Sequence, residues 1–474
     1  MSAPFTVCTF HGLRGKRAKH ARHPLFVICS GVPRTIGPGN VVMWACAPRP
    51  LTIMDGLPKA SASADDDDTP RRQGKGVGAG SMRDFRVRSA GSHIAGVAGI
   101  GALALVFLVA PLEGQALPAW RLTPEVRMGQ DDENEQPTFT RVLAVMPAMD
   151  GTVIIADAAN REIHTFESDG TYSQSIGRDG RGPGEFERLS AVGLLGDTLW
   201  VIDGRERRTS LFSLDGAHLA TIRTVAARSS SGLSDSNLTA LVAGGAALGS
   251  ASASFGSEQA FQDERKPVLR MTRAGRTQDT LAWIPTRHAN FALRNVDGGY
   301  TFGPQLFSDA ALTIVDPSAL RFYIVDRSVT TTPQRASFRV LALGLNRGDT
   351  VWDRNYAYTP RRVERARADS LLAVHEQLTS SGHSLRAIRD ALFIPDYYTP
   401  ITSGAAGTDG SLWLRREEGQ PAVDYWVISK DGTLVASVTV PANVVLLAAT
   451  DTQAWGVETD EYDVPTVVRY RIVR

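Results

Sequence analysis

Two stretches of this 474-residue chain superimpose without a gap. Residues 150–178 align with residues 196–224 at a spacing of 46 residues, so that Asp157 falls on Asp203. Within each copy, short runs rich in β-branched and aromatic residues are separated by Asp-Gly or Gly-Asp turns, which is typical of antiparallel strands joined by tight hairpins. A strand-built repeat of about 40–50 residues indicates the blades of a β-propeller.

The segment between the two copies, residues 177–189, reads GRDGRGPGEFERL. Each copy then has a hydrophobic run ending in Asp, an Arg, and a Phe followed by Asp-Gly. This pattern resembles the NHL repeat of six-bladed β-propellers. The resemblance implies an all-β fold, a six-bladed β-propeller of four-stranded antiparallel blades, in which Asp157 pairs with Arg161. It implies no particular activity, because propellers host unrelated functions.

The remaining blades are predicted from strand-like runs of the same type. Blade 1 spans about 138–180, blade 2 about 186–225, blade 3 about 237–284, blade 4 ends near 356, and blade 5 spans about 400–440. Blade 6, residues 443–474, has only three strands. We expect a strand around residues 121–128, ahead of the first repeat, to complete it, because such closure removes free sheet edges.

One segment departs from the strand pattern. Residues 361–392 include two runs rich in helix-forming residues, with Leu371, Val374 and Leu378 at helical spacing in the first. The sequence therefore predicts a short helical insertion between blades four and five.

The front of the chain has the pattern of an export signal. Residues 94–110 are apolar, arginines precede them, and Ala116 is the predicted cleavage site, so residues 82–116 are a signal peptide or an N-terminal membrane anchor. Residues 1–81 are predicted to be a non-native or disordered N-terminal extension. We expect residues 117–474 to be a monomer in the periplasm or outside the cell, or anchored to the inner membrane through 94–110.

Composition narrows the function. All three cysteines lie at or before Cys46, which removes disulfides and thiolate chemistry from the propeller. Residues 117–474 hold 37 Lys/Arg and 43 Asp/Glu, a net charge of −6, so no nucleic-acid partner is expected.

Two residue phases recur in every readable blade. Large apolar side chains recur four residues after the turn that opens the second strand, at Ile154, Trp200, Tyr323, Trp413 and Trp455. We expect them to pack between neighbouring sheets. The recurring strand-end acids, such as Asp157, are expected to satisfy turn backbone groups, because a repeated residue performs a repeated structural task.

A functional site should instead be confined to one blade and lie at the mouth of the channel. Inner strands are predicted to begin near Arg141, Arg188, Asn237, Tyr300, Tyr397 and Asn443. Asp396, Tyr397 and Tyr398 have no counterpart in other blades and are the candidate ligand contacts. Arg141 and Arg188 are candidates for an anionic group of the ligand.

Two functions remain open. The first is an exported binding scaffold for a protein, peptide or glycan. The alternative is a calcium-dependent propeller enzyme of the lactonase or lyase type, holding Ca²⁺ through side-chain oxygens, for which Asn237 and Asn443 are the metal candidates. No catalytic residue is assigned, and Ca²⁺ belongs only to the alternative.

Overall fold

Six four-stranded antiparallel blades follow one another along the chain and form a β-propeller. The computed structural model describes residues 8–9, 34–35, 42–43, 117–129, 136–224, 233–253, 265–295, 298–318, 320–328, 336–374, 383–416 and 422–474. The chain divides into two compact units, residues 1–46 with 116–474, and residues 47–115. The second unit lies outside the described residues, and the propeller belongs to the first.

Each of the first three blades is a simple meander. The strands of blade 1 are Val142–Pro147, Val153–Asp157, Glu162–Phe166 and Tyr172–Ile176. Those of blade 2 are Leu189–Leu195, Thr198–Asp203, Arg208–Ser213 and His218–Arg223. Those of blade 3 are Leu233–Val242, Ala246–Ala253, Arg265–Thr272 and Thr277–Pro285, with a 3-10 turn at Ala243–Gly245.

The last three blades follow the same plan. The strands of blade 4 are Leu312–Val315, Arg321–Asp326, Ser337–Gly344 and Thr350–Ala357. Those of blade 5 are Ile401–Ala406, Leu412–Arg416, Ala422–Ile428 and Leu434–Pro441. Those of blade 6 are Val444–Ala449, Gln453–Thr459, Pro465–Val473 and the N-terminal strand Ala119–Met128.

The predicted ring closure is confirmed. The strand Ala119–Met128 pairs antiparallel with Pro465–Val473 and so completes blade 6. Its first residues also pair in parallel with the outer strand of blade 5, Trp120 opposite Val438, which joins the two blades into one eight-stranded sheet. The seam between the chain ends is therefore held by hydrogen bonds on both sides.

A hydrophobic core fills each blade interface that carries one of the recurring large residues. Ile154 lies between blades 1 and 2, Trp200 between 2 and 3, Tyr323 between 4 and 5, Trp413 between 5 and 6, and Trp455 between 6 and 1. All five are at most 5% exposed. The prediction that this phase packs between sheets is confirmed.

Three of the six predicted inner-strand starts are wrong. Asn237 is the fifth residue of its strand, and Tyr397 precedes the inner strand of blade 5, which begins at Ile401. Tyr300 opens the second strand of an additional hairpin, Asn290–Arg294 and Tyr300–Pro304, in the connector between blades 3 and 4. The strands of this hairpin have the same residue pattern as blade strands, so the sequence alone does not distinguish the hairpin from the start of a blade.

The helical insertion is confirmed as two helices, α1 (Arg365–Val374) and α2 (Leu385–Ala391). The Ser384 side chain accepts a hydrogen bond from the Ala387 backbone N–H and caps the start of α2. The chain leaves and re-enters the propeller through a short two-stranded neck. Its backbone bonds run from the Val363 N–H to the Asp396 carbonyl and from the Tyr398 N–H to the Arg361 carbonyl, both 2.9 Å.

Residues ahead of the propeller contribute three short strands. Cys8–Thr9 pairs with the additional hairpin opposite Phe302 and Thr301, and Arg34–Thr35 pairs with Val42–Met43. The predicted signal segment, residues 82–116, lies outside the described residues. Among the residues that are described, no helix has both the length and the apolar character needed to cross a membrane.

Candidate functional site

Arg141, Arg188, Asn443 and the segment 396–398 lie on one face of the propeller. We call it the connector face, because on it the chain passes from one blade to the next, inner strands begin and second strands end. In blade 1 the Asp157 carboxylate accepts hydrogen bonds from the backbone N–H groups of Thr140 (2.7 Å), Arg141 (3.0 Å) and Ala159 (3.0 Å). Asp157 is fully buried, so these bonds replace the water it has lost. The repeated acid therefore fixes the start of the inner strand.

In blade 2 the repeated acid Asp203 holds the start of the inner strand in the same way. Asp203 accepts from the N–H groups of Glu187 (3.0 Å) and Arg188 (3.2 Å). The expected Asp157–Arg161 pair is wrong: Arg161 pairs with Asp179 in the next connector. The arginine that approaches a repeated acid is Arg208, whose guanidinium lies 3.7 Å from the Asp203 carboxylate. Arg161 is instead held by Asp179 in the connector between the copies.

Three candidates occupy one structurally equivalent position. The carbonyls of Arg141, Arg188 and Asn443 each accept a hydrogen bond from a backbone N–H at the end of the second strand of their blade or directly after it, at 2.9, 3.2 and 3.2 Å. Each residue directly precedes an inner strand. Blades 6, 1 and 2 are consecutive in the ring, and their inner strands contact one another. We call these three residues the mouth arc.

The connectors on either side of blade 4 carry additional structure, a hairpin and two helices, and they dock on each other. Phe291 and Leu293 of the additional hairpin form a small core with Ile388 and Leu392 at helix α2. Buried Gln305 binds the end of the helix through both side-chain atoms, donating to the Ala391 carbonyl (2.9 Å) and accepting from the Phe393 N–H (2.8 Å). We call the hairpin and the two helices the cap.

A histidine–carboxylate pair in the connector ahead of blade 4 contacts the connector that follows blade 4. His288 Nδ1 lies 3.0 Å from Asp309 Oδ1, and the imidazole stacks on Phe393 with ring centroids 3.5 Å apart and planes 4° from parallel. The His288 side chain remains 31% exposed. Its backbone φ of 51° is in the left-handed region that non-glycine residues seldom adopt. A carboxylate-oriented imidazole of this kind can bind a ligand or exchange protons.

A buried arginine lies beside this pair. Arg327 is 7% exposed, and its guanidinium donates to the carbonyl of Ala310 (2.7 Å) in the connector ahead of blade 4 and to that of Ile401 (2.9 Å) at the start of blade 5. Burial lowers the Arg327 pKa to about 10, and the Asp309 carboxylate partly offsets that effect. The guanidinium remains charged at neutral pH and fixes where the inner strands of blades 4 and 5 begin.

The three candidates from the segment before blade 5 come together in the neck of the cap. Asp396 is exposed, whereas Tyr397 and Tyr398 are half-buried. The Arg362 guanidinium lies 5.5 Å from the Tyr397 ring, and that of Arg361 lies 4.3 Å from the Tyr398 ring. These cation–π contacts place positive charge beside both rings.

Tyr398 also contacts Phe307, with ring centroids 5.8 Å apart. It therefore packs between the neck and the connector ahead of blade 4. Asp396 is the most exposed member of the predicted group.

The asparagines proposed for Ca²⁺ do not form a metal site with the residues described. The Asn443 amide donates to the Thr459 carbonyl at 3.0 Å, and the Asn237 side chain lies outside the described residues. Across the described part of the chain there is no group of three or more His, Cys, Asp or Glu side chains that could hold a metal ion.

Sequence reasoning missed His288, Asp309 and Arg327. None of them belongs to a repeat or a motif, and Phe393, which stacks on His288, is distant in sequence. One available signal was the length of the connectors flanking blade 4, which exceeds what a propeller turn requires.

Comparison with known proteins supports the fold class. A family model, DUF5128, described as a 6-bladed beta-propeller, matches residues 140–232, which covers the two best repeats. A search of curated proteins finds no match to this chain.

Solved structures similar to this chain include a member of the DUF4221 family from Bacteroides vulgatus, at 10% identity and a TM-score of 0.40, covering 74% of this chain and 98% of that one. The calcium-binding protein regucalcin from Agrobacterium tumefaciens is 11% identical, with a TM-score of 0.36 and coverage of 76% and 97%. Virginiamycin B lyase from Staphylococcus aureus is 9% identical, with a TM-score of 0.35 and coverage of 75% and 99%. The chain is a six-bladed β-propeller, and similarities this distant carry nothing about its activity.

Proposed function

We propose that this propeller is a binding scaffold that holds a protein, peptide or glycan ligand on its connector face, between the cap and the mouth arc. NHL-type repeats, export by the segment 82–116 and a periplasmic or extracellular location are parts of the same proposal. The blades form a rigid base, and the connectors carry side chains that are not required for packing the blades and can contact a ligand.

The docked cap is the observation that carries the proposal. Three blades lie outside the two elaborated connectors, and the ring closes through strand pairing elsewhere, at blade 6. The cap nevertheless has its own core and its own polar bonds, such as those of Gln305. An elaboration confined to one side of one face, with Arg362, Tyr397 and Asp396 accessible on it, is the arrangement expected of a ligand-binding surface.

Substitution of the neck tyrosines tests the proposal. A glycan and peptide array identifies the ligand, and calorimetry measures its affinity for the wild type and for the double variant Tyr397→Ala, Tyr398→Ala. We expect the variant to bind at least about ten-fold more weakly, which corresponds to about 1.4 kcal/mol.

Conservative changes separate recognition from packing. Tyr398→Phe keeps the contacts with Phe307 and Arg361 and should retain the cap, as judged by circular dichroism and melting. Leu320→Ala is the control, since Leu320 is 52% exposed in the turn between the first and second strands of blade 4, on the face opposite the connector face. Equal affinity in the double variant and the wild type, with normal melting, would move the ligand site away from the neck.

The His288–Asp309 pair favours a second candidate function, acid–base chemistry on a bound ligand. A histidine held by a carboxylate at Nδ1 has the orientation that general bases require. His288→Gln should abolish turnover of any substrate found in a screen of lactones and glycosides while leaving its binding within a few-fold of wild type. Turnover unaffected by His288→Gln would remove this candidate.

A further inference from the structure

Arg141 and Arg188 are exposed, and no carboxylate pairs with either guanidinium among the residues that the structure describes. Their neighbours behave differently. Five other arginines of blades 1 and 2 each pair with an acid: Arg161 with Asp179, Arg178 with Glu185, Arg181 and Arg205 with Glu187, and Arg208 with Asp203. Two equivalent arginines thus stay unpaired on a surface where arginines usually pair.

The repeated acids contact the backbones of these two arginines and do not pair with their guanidinium groups. Asp157 accepts the backbone N–H of Arg141, and Asp203 accepts that of Arg188. Each acid also binds the turn after its own strand, through the N–H groups of Ala159 and Arg205. The backbones of both arginines are fixed, and their side chains have no structural task.

The two arginines occupy the same position on adjacent inner strands, which approach within 8 Å between Cα atoms. Asn443 occupies that position on the next blade round the ring. Its Nδ2 donates to Thr459, so its Oδ1 points to no partner among the described residues. The mouth arc thus places two arginines and one asparagine at equivalent backbone positions of three consecutive blades.

We propose that Arg141 and Arg188 together bind one oxyanion group, a carboxylate or a phosphate, of the ligand. This inference rests on the proposed function and names the chemistry that the mouth recognises. Guanidinium groups bind both anions through paired N–H donors, and two cations held one blade apart attract an anion more strongly than one. The mature chain is net negative, so this attraction is local to the mouth.

Calorimetric titration tests the inference with named probes: inorganic phosphate, oligogalacturonate as a carboxylated probe, and neutral oligogalactan. We expect the wild type to bind phosphate or oligogalacturonate but not the neutral chain, and whichever anion binds identifies the source of the group. Arg141→Gln and Arg188→Gln should each weaken that binding about ten-fold, equivalent to about 1.4 kcal/mol. Added salt should weaken it further.

Arg347→Gln is the matched control, because Arg347 is also exposed and lacks a carboxylate partner in the described structure, but it lies in a turn on the opposite face. It should bind as the wild type does. Failure of the wild type to bind either anion, or equal losses in all three variants, would overturn the inference. If a neutral ligand still binds and depends on Tyr397, the proposed function survives and only the oxyanion assignment fails.

Discussion

Ring closure makes a quantitative prediction at Met128. This residue ends the closing strand, is 1% exposed, and packs with Phe139, Val145 and Val153 in the core between blades 6 and 1. Truncation to alanine removes buried atoms and leaves a cavity, so Met128→Ala should lower the free energy of unfolding by about 2–5 kcal/mol. Urea denaturation followed by the fluorescence of the eight tryptophans measures the change.

Met149→Ala is the matched control. Met149 is 96% exposed, so the same truncation there should change the free energy of unfolding by less than about 0.5 kcal/mol. Deletion of residues 117–130 should have a larger effect than Met128→Ala, because it leaves one edge of the strand Pro465–Val473 without its partner strand. If Met128→Ala and Met149→Ala unfold at the same urea concentration, Met128 is not part of a closed core and the closure model is wrong.

Three further predictions use the same denaturation assay. Gly184 has a φ of 76°, so Gly184→Ala should lower the free energy of unfolding by about 1–2 kcal/mol. Gly182 lies outside the left-handed region, so Gly182→Ala should lower it by less, and equal losses in the two variants would contradict this reasoning. Asp157→Asn places an amide against backbone donors and should cost at least about 1.5–3 kcal/mol without changing ligand affinity; lost affinity in folded protein would give Asp157 a functional role. Burial lowers the pKa of His164, and the nearby Asp157 carboxylate partly offsets this effect, so the unfolded chain binds the proton at a higher pH than the folded chain. The free energy of unfolding should therefore fall as the pH drops below about 6.5. His164→Gln should weaken this dependence of the free energy of unfolding on pH, and an unchanged dependence would exclude His164 as its source.

The blades were predictable because they repeat. A residue such as Trp200 recurs at one phase, and a recurring phase implies a recurring environment between sheets. The closing strand was predictable from a count, since blade 6 lacked a strand and an unassigned strand preceded blade 1. Both predictions rest on the ring as a whole, so they did not require side-chain detail.

The cap was predictable only in part. Helix α2 follows from its composition, but its docking partner, the hairpin at Tyr300, has the pattern of an ordinary blade strand. Arg327 and His288 contact residues that are distant in sequence and do not recur from blade to blade, so the repeat pattern does not reveal them. Tyr398 was identified as unusual because no other blade has a counterpart, yet its packing against Phe307 requires the folded chain.

Hydrogen–deuterium exchange, with and without the ligand identified on the array, tests the central claim most directly. The account predicts that bound ligand protects peptides covering residues 136–141 and 186–190 at the mouth arc, and residues 358–364 and 394–400 at the neck. Turns on the opposite face, such as 148–152 and 196–197, should exchange at the same rate in both states. Protection confined to those turns or to the outer strands, with the connector face unchanged, would contradict the account.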